Sequence, residues 1–212
     1  MVILSPQLGI SFIATTGGET YDRELLKQFV KLGQDVKVLL PKDKSIPLEL
    51  EKADIERTCV SHFAPPDIFN LFALSWVLRQ IAKEKGKSLP AGKAGKKVKG
   101  NIILRIHSPE YLFWTAYLTK KLHPEVPIIT HYHLDQTGKL WTIMNRKLLN
   151  MADAVIADSE YLKERLMERV WVEEKLIHVI HCGVDVEVIQ PLARSTSHIA
   201  RRTLLFLGRF IE

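Results

Sequence analysis

His131 and His133 stand two residues apart in a run that reads as extended chain, so both imidazoles fall on one side of the backbone. Such a pair can bind a metal ion, relay a proton or hydrogen-bond a polyol, and the plain alternative is two histidines satisfied inside the fold. As a zinc site the pair is incomplete, because Asp135 is the nearest carboxylate and no fourth ligand is evident. His107 follows another apolar run and adds a third imidazole, whereas Glu110 suits the first turn of a helix better than catalysis. Gly17 and Gly18 precede a helical pattern, where exposed amides and the helix dipole favour a phosphate; an ordinary turn explains two adjacent glycines equally simply. No third glycine completes a dinucleotide fingerprint. Arg209, after an apolar run and a glycine, can clamp a phosphate with two parallel hydrogen bonds or remain a solvated charge. Asp158 and Ser159 read as a helix N-cap pair first and as functional groups second.

These residues need elements to position them, and the hydrophobic pattern supplies a repeating series. Short β-branched runs at 2–5, 36–40, 102–106, 127–131, 154–157, 177–180 and 203–207 read as strands. Helical patterns fall at 19–32, 111–122, 139–151 and 160–170. In the first of these, Tyr21, Leu25, Phe29 and Leu32 form the apolar face and Gly33 is the left-handed stop. Residues 65–82 read as a buried or interfacial helix and 83–100, rich in lysine and glycine, as a loop. Strand and helix alternating in this way predict an α/β fold, a mostly parallel sheet with helices on both faces. Ligands of such sheets bind outside the carboxyl ends of the strands, which is where Gly17, Gly18, His107, His131, His133 and Asp158 all fall.

Composition narrows the class. The chain has 212 residues, 46% of them hydrophobic and 25% charged, which suits a globular domain and not a disordered one. Thirty basic residues against 24 acidic give a net charge of +6, a value that by itself invites a nucleic-acid or membrane reading. Residues 83–100 hold seven lysines and one glutamate, however, and the remainder carries 23 basic and 23 acidic residues. The excess is local, so nucleic acid is not an expected partner, and contact of this loop with an anionic membrane surface is less favoured than plain solvation. Cys59 and Cys182 are the only cysteines and show no paired-thiol metal spacing, and no run is long and apolar enough to span a membrane. A cytoplasmic location is expected.

Taken in order, six segments resemble the amino-terminal half of the retaining nucleotide-sugar glycosyltransferases of GT-B architecture. They are Gly17-Gly18 with the helix ending in Leu32-Gly33-Gln34-Asp35-Val36, Ile106-His107-Ser108-Pro109, and Pro127 through His133. Ala152 through Glu160, Val179 through Asp185 with Pro191, and Leu205-Phe206-Leu207-Gly208-Arg209 complete the set. The resemblance spans nearly the whole chain and implies a Rossmann-like domain over residues 1–190 on the acceptor side, with 191–212 as linker and first strand of a donor-binding domain. It implies that His133 is the catalytic-centre histidine contacting the transferred sugar. Gly17 and Gly18 would then lie against the donor pyrophosphate or acceptor, with His107 and His131 lining the same pocket. Arg209 would neutralise the leaving diphosphate. It implies no cofactor beyond a nucleotide-diphosphate sugar as donor substrate, a carbohydrate or lipid-linked acceptor, and no turnover by this segment alone. His131 occupies a position where the family often has threonine, and Cys182 one where it usually has asparagine. A stand-alone Rossmann-like module that binds a phosphorylated ligand without catalysis is the competing expectation.

Overall fold

The computed structural model describes residues 1–6, 17–41, 55–60, 71–86, 102–107, 112–133 and 139–183. Met1–Cys182 forms one compact unit and Gly183–Glu212 a second. In chain order the elements are β1 (Val2–Pro6), α1 (Gly17–Lys31), β2 (Asp35–Pro41), β3 (Glu56–Val60), α2 (Leu71–Gly86), β4 (Ile102–Ile106), α3 (Phe113–Leu122), β5 (Ile128–Tyr132), α4 (Lys139–Leu149), β6 (Ala154–Ala157), α5 (Glu160–Arg165) and β7 (Ile177–Val179). The strands form one sheet in the order β3-β2-β1-β4-β5-β6-β7, every pair parallel. The order reverses direction between β1 and β4, the place where such sheets open a crevice at their carboxyl edge.

Both faces of the sheet are covered, as the alternation within β2 requires. Val36, Val38 and Leu40 pack with Leu26 of α1 on one side. Leu39 and Leu4 join Ala73, Trp76, Val77 and Ile81 of α2 on the other, in a core that continues through β4, β5 and β6. The spacing of Ala73, Trp76, Val77 and Ile81 is that of one helical stripe. Lys37, on the same side as Leu39, is buried, and its ammonium meets Glu56 Oε2 at 2.7 Å and Glu84 Oε1 at 3.1 Å. Two carboxylates thus offset the cost of taking that charge out of water.

Six strands and the α/β fold class agree with the sequence reading, and several details do not. β3 was not anticipated, because Glu56-Arg57-Thr58-Cys59-Val60 is neither an apolar run nor a clean alternation and half of it is exposed. The apolar face of α1 is rotated from Tyr21-Leu25-Phe29-Leu32: Asp22 and Leu26 are buried and Leu32 is exposed. Gly33 ends that helix with φ +72°, as its position predicts. The helix expected over 160–170 is α-helical only to Arg165 and widens into a π turn over Leu166–Val170, closed by Trp171 in the left-handed region. α2 continues through Gly86, beyond the boundary drawn at 83, because Lys83 and Lys85 lie on the helix and pair with Glu56 and Glu125. The expected strand at 203–207 and residues 65–70 and 87–100 lie outside the described residues.

Candidate active site

The carboxyl ends of β4, β5 and β6 bring three imidazoles and one carboxylate together. His107 directly follows β4, His131 lies in β5, His133 directly follows β5 and Asp158 directly follows β6. The His131 and His133 rings lie on one side of the chain with centroids 4.2 Å apart, and the His107 ring is 4.5 Å from that of His133. Tyr21 of α1 meets both β5 histidines edge-on at 5.4 and 5.5 Å. The structure thus brings the three histidines singled out from the sequence together.

Under the cluster lies a buried ionic floor. Arg105 of β4 donates from Nη2 to Asp22 Oδ1 of α1 and from Nη1 to Ser5 Oγ of β1 at 3.2 Å. Its Nη2 also lies 3.3 Å from His131 Nδ1 and 3.4 Å from His107 Nδ1. Asp22 is fully buried, and burial pushes its carboxyl up. The Arg105 charge and a hydrogen bond from His107 outweigh this and hold it well below the usual carboxylate range. A guanidinium only donates, so the Nδ1 of His131 facing it is the acceptor nitrogen and Nε2 carries the proton. That Nε2 points toward Asp158 Oδ1 at 3.3 Å, off the line of a good hydrogen bond, and both atoms are buried without another partner.

Asp158 was read from sequence as a cap, and the structure divides the pair differently. Ser159 Oγ accepts from Leu162 N at 3.2 Å and caps α5 alone. The Asp158 carboxylate turns to the histidines, with Oδ2 2.5 Å from His133 Nδ1. His133 Nε2 in turn lies 3.2 Å from His107 Nδ1. Burial, then the neighbouring His131 and His107, lower the His133 pKa to about 4 against the pull of Asp158. Burial lowers the His131 pKa as well, with Asp158 opposing. Burial pushes Asp158 up, but the nearby His131 and a hydrogen bond to His133 leave it below its ordinary value. His131 and His133 are thus neutral imidazoles at neutral pH beside an ionised carboxylate: hydrogen-bonding equipment suited to hydroxyl groups or a developing positive centre. Tyr21 is pushed up to about 12, first by burial and then by the neighbouring Cys182, so it stays a phenol.

Gly17 and Gly18 are the first two residues of α1, at the end of that helix where free amides project. Arg209, Glu110 and Asp135 lie outside the described residues. Asp22, Arg105 and Tyr21 were missed as site residues. Arg105 interrupts the apolar run Ile102-Ile103-Leu104-Arg105-Ile106, and a charge inside a buried strand was the available signal.

Among the described residues, two triads of side chains are close enough to share an ion: His107, His131 and His133, and His133, Asp158 and Cys182, with ligand atoms within 4.8 Å of one another in each. Among the described residues, no helix is long and apolar enough to cross a membrane.

The parallel sheet and its reversal at β1 and β4 define a Rossmann-like α/β domain, and this fold, with the family match that follows, is that of a GT-B amino-terminal domain. Residues 15–188 match the model of Glycosyltransferase Family 4, and the chain belongs to that family. Solved structures share the fold. A glycosyltransferase from Rickettsia africae superposes with a TM-score of 0.63 at 20% identity, covering 88% of this chain and 44% of the other. HepE of Anabaena, in complex with UDP and glucose, gives 0.63 at 16% identity over 89% of this chain and 46% of the other. A sucrose-phosphate synthase segment from Thermosynechococcus elongatus gives 0.52 at 16% identity over 89% and 93%. The chain thus spans less than half the length of the first two proteins. No curated protein matches it in sequence.

Proposed function

We propose that this chain is the acceptor-side domain of a nucleotide-sugar-dependent retaining glycosyltransferase that transfers a sugar, hexosyl in type, to a carbohydrate or lipid-linked acceptor. Membership of Glycosyltransferase Family 4 supports the reaction class. The observation that carries the site is the meeting of His107, His131 and His133 with Asp158 at the carboxyl edge of β4, β5 and β6. The HepE structure, solved with UDP and glucose, makes a nucleoside diphosphate donor the reasonable substrate to test first.

In this reading His133 contacts the transferred sugar beside the reacting carbon. Asp158, accepting from Nδ1, fixes the ring and stabilises positive charge that builds nearby. His107 and His131 line the pocket, and the amides of Gly17 and Gly18 face the donor pyrophosphate or the acceptor. Arg209 neutralises the leaving diphosphate from the donor side. Residues 1–190 make the acceptor domain and 191–212 lead into a donor-binding partner domain, so the 212-residue chain alone does not turn over. No resident cofactor is needed, and the setting is cytoplasmic.

The test is a protein that joins this chain to a donor-binding second domain, assayed for nucleotide-sugar consumption with NMR of the product anomer. His133→Ala is expected to lower kcat by about 10²–10³-fold, the cost of losing one preorganised polar contact at the reacting centre, with little change in melting temperature. An unchanged kcat in that variant, or an inverted product, overturns the assignment.

A further inference from the structure

The two triads at the strand ends differ in what surrounds them, and only one suits a cation. In the three-histidine set, Nδ1 of His107 and Nδ1 of His131 both face the Arg105 guanidinium, at 3.4 and 3.3 Å, and an ion held by those nitrogens would stand beside a permanent positive charge. His107 Nδ1 is also 3.1 Å from Asp22 Oδ1 and is already engaged. The second set, His133, Asp158 and Cys182, contributes a carboxylate and a thiol beside its imidazole. Its backbone is tied together at the sheet edge. Ile180 N donates to Ala157 O at 2.9 Å, and a His181 ring nitrogen lies 2.9 Å from Asp158 O, so residues 180–182 run alongside Asp158.

We propose that His133, Asp158 and Cys182 form a binding site for a thiophilic divalent cation of the zinc class. The donor set is one imidazole nitrogen, one carboxylate oxygen and one thiolate, which matches zinc in type and leaves a fourth tetrahedral position for solvent or a ligand. The carboxylate and thiolate together balance the charge of a divalent ion. Ligand atoms of a tetrahedral site with metal–ligand bonds near 2.0–2.1 Å lie about 3.3 Å apart. Closure therefore needs the hydrogen bond of 2.5 Å between His133 Nδ1 and Asp158 Oδ2 to open by roughly one ångström and be replaced by two bonds to the ion. His131 Nε2, buried and 3.3 Å from Asp158 Oδ1 with no hydrogen-bond partner of its own, gains a function here: its N–H steadies the carboxylate from behind, as outer partners of metal ligands do. The proton balance is simple. The Nδ1 proton of His133 moves to Nε2, the Cys182 thiol gives up its proton to become the thiolate ligand, and one proton per ion enters solution.

The site shares His133 and Asp158 with the sugar-transfer reading, so a bound ion excludes the contact proposed there; the inference concerns binding, and its failure leaves that reading untouched. The experiment titrates the 212-residue chain with Co²⁺, in a phosphine reductant, and then competes with Zn²⁺. One equivalent of Co²⁺ should give a thiolate-to-cobalt charge-transfer band and intense tetrahedral visible bands, both lost on adding Zn²⁺. Cys182→Ser should remove the charge-transfer band and weaken Zn²⁺ binding at least about tenfold, while Cys59→Ser, on the exposed β3, should behave as the parent does. Calorimetry in buffers of different ionisation enthalpy should report release of one proton per ion. Absence of the band, its survival in Cys182→Ser or its loss in Cys59→Ser overturns the proposal. Cobalt bands of imidazole type that vanish in His107→Gln and persist in Cys182→Ser overturn it in favour of the three-histidine set.

Discussion

His133 shows how far a neighbourhood can move one side chain. Its pKa falls from 6.5 to about 4, first because burial penalises the charged ring and then because His131 and His107 sit against it, although Asp158 pulls the other way. The sign follows directly. Between pH 6.5 and 4 the unfolded chain binds a proton at this residue and the folded chain does not, so folding stability rises with pH across that window. The contribution is complete above pH 6.5 and is lost as pH falls toward 4, and a shift of this size corresponds to at most about 3 kcal/mol. His133→Gln removes the titration. Urea unfolding of parent and variant at pH 7, 5 and 4 should therefore show a smaller loss of stability on acidification in the variant. Equal losses would mean that His133 is not held neutral by the fold.

At the scale of elements, the site depends on how α1 is docked. Asp22 on α1 and Arg105 on β4 join a helix to the centre of the sheet across the bend of the chain, and Ser5 of β1 completes the contact. Breaking a buried pair leaves an uncompensated charge, so Arg105→Met should destabilise the chain by about 3–5 kcal/mol. Adding Asp22→Leu to it should restore part of that loss, since the pair then becomes apolar. Urea midpoints of the single and double variants check this, and a double variant no more stable than Arg105→Met would show that the pair is not what docks α1. This pair also marks where the sequence stopped being readable. The strands of the central sheet were legible because parallel strands buried on both faces are continuous apolar runs, and His131 and His133 were legible because period two puts alternate residues on one side. The orientation of α1 was not, because a buried aspartate counts as polar in any periodic pattern until its partner, 83 positions along the chain, is known. β3 was invisible for a related reason: an edge strand with exposed Glu56, Arg57 and Cys59 lacks the apolar signal that burial writes into sequence. Asp158 was assigned to the helix because Asp and Ser cap equally well, and only the meeting with His133 decides between them.

For the whole molecule, the question is what the charge of +6 does. Residues 83–100 account for all of it, and the rest of the chain is balanced at 23 against 23. Two of the seven lysines are already committed in the fold, Lys83 to Glu56 at 3.5 Å and Lys85 to Glu125. The other five are Lys87, Lys93, Lys96, Lys97 and Lys99, which lie outside the described residues. A distributed basic face of the kind that follows a nucleic-acid backbone would survive their removal, whereas a single segment would not. Replacing these five by glutamine should bring elution from immobilised heparin to much lower salt and abolish any retention on vesicles rich in anionic lipid. Lys83 and Lys85 are kept in the variant because their ion pairs belong to α2 and its neighbours. Unchanged heparin elution would locate the binding face on the folded sheet and reopen a nucleic-acid role. The expected loss confines the molecule's basic character to one short stretch of the sequence.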